Sequence, residues 1–329
     1  MSQKQQLLIC GVTGFIGRNL VDYFSERWKG PIAGTFWKTK PSLALRQNKR
    51  LKLLKADLTN HSHVSRAIKG SAIVIQAAAT TSGAKDIVTR PFIHVTDNAV
   101  MNSLILREGF EQKIKHLVFF SCTTMYPEGV RPVREDDFNY QIKDKYFGVG
   151  WTKVYIEKMC EFFSRISDTK FTVVRHSNIY GPHDKYDLER SHVFGATMTK
   201  VLTNPSDLLT VWGDGSDERD LLHVDDLVNF VGLALQKQQT RYELVNVGMG
   251  KSIAVKTLVE KIIRHSGRTM KIQYDTSKPS INYKLAVNIQ KAKQIFGWRP
   301  TIDLDAGIQK TIAWYRQNVP ATLRMLGKK

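Results

Sequence analysis

An apolar block, Leu7-Leu-Ile-Cys10, runs directly into Gly11-Val-Thr-Gly14-Phe-Ile-Gly17, and helical spacing of apolar residues follows from Phe15. No other feature of the chain constrains its fold as strongly. A short continuous apolar block suits a strand buried on both faces. Glycines at three-residue intervals permit a tight turn and let the backbone approach a pyrophosphate, whose charge the next helix N-terminus stabilises. Further β-branched runs at residues 32–36, 51–54, 73–77, 117–121 and 171–175 alternate with amphipathic stretches such as 98–112 and 153–165. This alternation predicts an α/β fold, a doubly wound parallel sheet covered on both faces.

After Tyr180-Gly-Pro182 the rhythm changes. A helix-like segment at 193–202 and a short strand at 209–212 break the pattern, which returns at 223–235 and 242–247 before helices at 255–266 and 304–317. There is no internal repeat and no low-complexity linker. The reading is therefore two interleaved domains: residues 1–180 plus about 221–248 for a dinucleotide, and 181–220 plus 249–329 for a smaller α/β substrate domain.

Composition removes several function classes. Apolar residues at 42% and charged residues at 24% match a globular chain rather than a disordered one. No apolar run approaches the ~18–20 residues of a membrane helix, and the block at Leu7 is too short for a secretory signal. Three cysteines, Cys10, Cys122 and Cys160, cannot form a paired framework, so a reducing, cytoplasmic setting is expected. Lys and Arg outnumber Asp and Glu by 49 to 30, a net charge of +19 that favours phosphorylated partners. The basic residues are scattered, as at 46–55, 143–153 and Lys328-Lys329, without interleaved aromatics, which argues against nucleic acid. His61 and His63 fall in a polar stretch read as a loop, with no cysteine or paired acid beside them, so no metal site is assigned.

The Gly-x-x-Gly-x-x-Gly spacing resembles the extended short-chain dehydrogenase/reductase family, the NAD-dependent epimerases and dehydratases, whose sheet is of Rossmann type and which act mainly on nucleotide sugars. The resemblance implies that Gly11, Thr13, Gly14, Phe15, Ile16 and Gly17 face the cofactor, with Asp57 and Leu58 at its adenine. Ala77, Ala78 and Ala79 would lie under the pyrophosphate, with Asn98, Lys153 and His176 completing the set. After the second strand, Gly34-Thr-Phe-Trp-Lys-Thr-Lys40 holds no acid but two lysines. A carboxylate there would favour a ribose 2′-hydroxyl, whereas Lys38 or Lys40 would attract a 2′-phosphate. NADP(H) is the preferred cofactor and NAD(H) the alternative.

In that family a Ser/Thr, a Tyr and a Lys cooperate. Gly150-Trp-Thr-Lys153 matches the helix that carries the lysine, but the tyrosine position, four residues earlier, is Val149, and Tyr146 lies seven residues before the lysine. Lys153 itself, a water or Tyr146 could take over the proton transfer. Before Tyr126-Pro127 the hydroxyl position is Cys122, with Thr123 and Thr124 as neighbours able to supply a hydroxyl. Downstream, Asn178-Ile-Tyr-Gly-Pro-His-Asp184, Ser191-His-Val193, Trp212-Gly-Asp-Gly and Arg219 to Asp226 resemble the GDP-fucose-synthase-like members, and Phe296-Gly-Trp-Arg-Pro300 resembles an ending general to the family.

By that likeness His192 is an acid/base near the sugar, while Asn178, Val193, Lys200, Trp212 and Arg219 join it in holding substrate. Thr124 stands where those members carry a catalytic cysteine. His223-Val-Asp-Asp226 is read as structural. The implied function is an NAD(P)-dependent oxidoreductase or epimerase of a nucleotide-diphosphate sugar, a GDP-sugar by preference, with hydride transfer at C4. The alternative, motivated by Val149, is a regulatory protein that binds cofactor or nucleotide sugar without turnover. Apolar residues on several faces of 98–112 and 153–165, helices that pair subunits in the resembling family, imply a homodimer.

Overall fold

The protein was analysed as a computed structural model that describes residues 5–80, 91–127, 129, 131–188, 191–277 and 284–319. Lys328-Lys329 and the first four residues lie outside the described residues. The strands are β1 (Gln6–Cys10), β2 (Ile32–Phe36), β3 (Leu51–Lys55), β4 (Ser71–Gln76), β5 (His116–Phe120), β6 (Lys170–His176), β7 (Asn178–Tyr180), β8 (Leu208–Trp212), β9 (Glu218–Arg219), β10 (Leu221–His223), β11 (Tyr242–Val247), β12 (Ile253–Ala254) and β13 (Lys271–Asp275). The helices used below are α1 (Phe15–Arg27), α2 (Leu43–Gln47), α3 (His61–Ile68), α4 (Thr96–Glu111), α5 (Phe147–Ile166), α6 (Val193–Thr203), α7 (Val224–Lys237), α8 (Val255–Ser266), α9 (Gln290–Phe296) and α10 (Leu304–Asn318).

Seven strands form one sheet in the order β11-β6-β5-β4-β1-β2-β3, with every pairing parallel. Strand order reverses between β1 and β4, and in open α/β sheets ligands bind at that switch, outside the carboxyl ends of the strands. The two-residue side-chain period of β1 explains the layering. Leu7 and Ile9 join the core under α1 and α7, while Leu8 and Cys10 join the core under α3, α4 and α5. A third core, built on α6, α8, α10 and Tyr180, belongs to the smaller lobe. There β8 pairs in parallel with β13 and β9 pairs antiparallel with β12.

The doubly wound parallel sheet expected from sequence is present, and the third core is formed from later segments of the chain. Boundaries moved where they matter for the site. β4 stops at Gln76, so Ala77 to Ala79 lie just past the strand end. Helix α5 starts at Phe147, which places Val149 in its first turn. One reading is corrected: His61 and His63 sit in the first turn of α3, not in a loop. The Asn60 side chain caps that turn by accepting from the His63 N–H at 3.2 Å. His61 pairs with Glu108 of α4 at 2.6 Å, and the His63 ring accepts from the Asp57 N–H at 3.2 Å.

His223 and Asp226 are structural, as expected. The His223 ring caps α7 by accepting from Asp225 N at 3.2 Å. The Asp226 carboxylate accepts from Thr301 N, Thr301 Oγ1 and Ile302 N within 3.0 Å, locking the chain after Trp298 onto α7.

Candidate active site

The turn between β1 and α1 is built around missing side chains. Gly11 has φ +78°, and a Cβ there would come within 2.7 Å of Ala78 Cα. At Gly17 a Cβ would sit 2.1 Å from the Gly11 carbonyl oxygen, so helix and turn close onto one another only through glycine. Gly14 is the N-cap of α1, contributes no side-chain cap, and the first turn carries no acid. Unsatisfied N–H groups and the positive end of a thirteen-residue helix therefore face the strand-end crevice. That is a cradle for a pyrophosphate, so the residues fit a dinucleotide.

Ala77 and Ala78 are half-buried, and Ala79 is exposed beside the turn. Asn98 is buried and braces this floor: its amide donates to the carbonyls of Thr80 and His94 and accepts from Thr80 N, all within 3.0 Å. Asp57 turns its carboxylate back to Thr59 N and Oγ1, and the Leu58 side chain is in the core. Lys38 and Lys40 are both exposed past the end of β2.

At the end of β5, Cys122 Sγ lies 2.9 Å from Thr124 Oγ1. Lys153, projecting from α5, donates from Nζ to the Phe120 carbonyl at 2.7 Å. Burial pulls its ammonium below the usual lysine range, opposed by the nearby Cys122 and Glu157. His176, at the end of β6, is bonded through Nδ1 to its neighbour's carbonyl. Burial above all, aided by Lys153 and His192, lowers it to about 4. Lys153, His176 and Cys122 thus gather at adjoining strand ends, with His192 within their electrostatic reach.

His192 is the N-cap of α6 and makes no side-chain cap. Solvent reaches its ring through the cleft, yet the surrounding protein, with Lys185 and Arg219, holds the imidazole below its ordinary value. Arg219 bonds the Glu218 carbonyl at 2.8 Å and the Asp217 carboxylate at 3.3 Å. Lys200 donates to the Thr210 carbonyl, and burial lowers its ammonium. Trp212 is 61% exposed. Asn178 and Val193 are half-buried at the edge of the same lobe.

Sequence reasoning passed over the buried network behind these groups. Arg175 and Glu157 form a two-pronged pair at 3.0 and 2.6 Å, almost wholly out of water. Glu157 also accepts from Ser121, the residue before Cys122, while Arg175 donates to Tyr126 at 2.9 Å. Tyr126 in turn donates to Asn246 at 2.7 Å. The network ties β5, β6, β11 and α5 together one helical turn beyond Lys153. An arginine directly after the apolar pair Val173-Val174 and a glutamate four residues after Lys153 were the available signals.

A Rossmann-type sheet, a glycine cradle at its switch point and a second lobe facing the strand ends define the class of protein. The NAD dependent epimerase/dehydratase family model matches residues 7–248, about three quarters of the chain, and the chain belongs to that family. Among its relatives, the GDP-L-fucose synthase of Escherichia coli is 26% identical over 96% of this chain and 98% of its own. Two solved structures share the fold. The UDP-glucose 4-epimerase of Thermotoga maritima with UDP-glucose has a TM-score of 0.85 and 23% identity over 96% of this chain and 100% of that one. MoeE5 in complex with UDP-glucuronic acid and NAD has a TM-score of 0.83 and 19% identity over 95% of this chain and 100% of that one. Among the described residues no cluster of His, Cys, Asp and Glu could hold a metal, and no helix is long and apolar enough to cross a membrane.

Proposed function

We propose that the protein is a cytoplasmic NADP(H)-preferring oxidoreductase or epimerase of a nucleotide-diphosphate sugar, a GDP-sugar by preference, acting at C4. The observation that carries this reading is the gathering of Lys153, Cys122, Thr124 and His176 around the ends of β5 and β6, with His192 at the start of α6 within electrostatic reach of His176. The GDP-L-fucose synthase relative supports the GDP-sugar preference, and the absence of an acid after β2 supports NADP(H).

The bound nicotinamide supplies the hydride chemistry. The chain's own residues hold and move protons. Lys153, its ammonium weakened by burial, is anchored on the Phe120 carbonyl, one helical turn after the Val149 position that lacks a phenol. The hydrogen-bonded Cys122–Thr124 pair offers an exchangeable proton. Across the cleft His192, open to solvent on one side and held towards its neutral form by the surrounding protein and neighbouring cations, can accept a proton beside a sugar carbonyl. Arg219 and Lys200 supply positive charge for a diphosphate, and Asn178, Val193 and Trp212 border the sugar and base.

Turnover of a 4-keto GDP-sugar with NADPH, compared with NADH and with the corresponding UDP-sugar, tests the reading. Turnover fastest with NADPH and the GDP-sugar is expected; none with either cofactor and either sugar refutes it. Val149 favours a second reading, a regulatory protein that binds the same ligands, and binding without turnover would establish that instead.

A homodimer belongs to the same proposal. Val100 and Phe110 on α4, and Tyr155, Phe162 and Ile166 on α5, are 37–55% exposed on two adjacent helices. A second copy is the natural cover for such a patch, and sedimentation at the monomer mass would refute it.

A further inference from the structure

Strand β5 ends at Phe120, and residues 121–126 continue it as an irregular turn. The turn is buried at both ends, Ser121 and Tyr126, and half-buried between them, where Cys122 and Thr124 share their hydrogen bond. A turn of this kind, left to itself, samples many conformations, because every residue held in one of them costs entropy. Here both ends are fastened to the same buried ion pair. Ser121 Oγ donates to Glu157 Oε1, and Tyr126 Oη accepts from Arg175 Nη1 at 2.9 Å. The Glu157 and Arg175 side chains are 3% and 4% exposed and hold each other through two bonds.

Two consecutive residues of the chain are thus gripped by two consecutive turns of α5. Lys153 holds Phe120 by its carbonyl, and Glu157 holds Ser121 by its hydroxyl. At the far end Tyr126 donates to Asn246 of β11 at 2.7 Å. Asn246 is itself fixed, donating from its side chain to the Val133 carbonyl at 2.9 Å and from its N–H to Glu135 at 2.7 Å. A buried ion pair adds little net stability over apolar residues of the same size, since desolvation consumes most of the attraction. Its bonds are nonetheless strong and directional. What this pair contributes is geometry: neither partner can rotate without leaving a charge bare.

We propose that Glu157 and Arg175 are positioning residues, a clamp on Ser121 and Tyr126 that sets Cys122 and Thr124 against Lys153. Its part in turnover rests on the proton-transfer reading above; the clamp itself does not. Glu157 also faces the lysine: burial draws the Lys153 ammonium down, and Cys122 and Glu157 favour its charged form. One carboxylate therefore serves both the turn and the amine beside it.

The test is alkylation of the whole folded protein by iodoacetamide, read at each cysteine by peptide mass spectrometry, in wild type, Ser121→Ala and Tyr126→Phe. Each substitution removes one end of the clamp and leaves both partners of the ion pair in place. Cys10 and Cys160 are 1% and 0% exposed and report global opening, whereas the half-buried Cys122 reports the turn. Cys122 should react about tenfold faster in each variant, as for a lost hydrogen bond to a charged network, with Cys10 and Cys160 as slow as in wild type. An unchanged Cys122 rate, or one that rises only together with Cys10 and Cys160, overturns the clamp. In reduction of a 4-keto GDP-sugar by NADPH, both variants should lower kcat about tenfold with KM within about twofold. A raised KM at unchanged kcat overturns the positioning role. A wild type without turnover refutes the reading above, and the alkylation rates, taken without substrate or cofactor, then decide the clamp.

Discussion

Asp184→Asn should stabilise the protein above neutral pH and leave it unchanged in acid. The carboxylate follows His183, whose φ is +69°, and its Oδ1 accepts from Lys185 N at 2.7 Å. The other oxygen is buried with no partner, and burial raises the group from 3.8 to about 7. About three pH units at ~1.4 kcal/mol each set an upper limit of about 4 kcal/mol on the cost of holding this charge in the fold. Because the residue borders an open cavity, screening reduces the figure to about 2 kcal/mol. The native state binds the proton more tightly than the unfolded chain does. Its favourable contribution is therefore complete below the unfolded value and lost as pH rises through about 7. Asparagine keeps the acceptor for Lys185 and never carries the charge. In urea unfolding, the variant's advantage should be near zero at about pH 4, grow towards about pH 7 and level off by about pH 8.5. An advantage independent of pH, or a less stable variant in alkali, would refute the assignment of a strained, charged Asp184.

Three further outcomes follow from the site. Val149→Tyr returns a phenol one helical turn before Lys153 and should raise turnover, whereas Lys153→Met should lower it by about 10²–10⁴-fold; steady-state kinetics of both variants decide. His192→Asn should remove the acidic limb of the rate–pH profile, and that limb in the wild type should lie below the ordinary imidazole value. Glu157→Gln strands the buried Arg175 charge and should cost about 3–5 kcal/mol in denaturant unfolding, with part regained in Glu157→Gln/Arg175→Met.

The sheet was legible because its signals are local. Apolar strands such as residues 7–10 and the glycines that follow them announce themselves within ten residues, and the switch between β1 and β4 then fixes where ligands bind. What escaped was long-range or polar. β13, Lys-Ile-Gln-Tyr-Asp, pairs with β8 more than sixty residues earlier and reads as surface chain on its own. The first turn of α3 is polar, so His61 and His63 passed for a loop until Asn60 was seen to cap it. The ties among Glu157, Arg175, Tyr126 and Asn246 span 18 to 120 residues, beyond any periodicity. The structure brings Lys153 of α5 beside Cys122 at the end of β5, and Cys122 and Lys153 were each marked by short local motifs. What stands opposite Val149 was not, because a missing side chain leaves no local trace.

Transfer of label is the most direct test of the central proposal, that this crevice moves hydride at a sugar carbon. Protein incubated with NADPH carrying deuterium at nicotinamide C4 and a 4-keto GDP-sugar should yield product with deuterium at sugar C4, seen by mass spectrometry and NMR. With either face of the nicotinamide labelled in turn, product without deuterium, or with deuterium at another carbon, would contradict it.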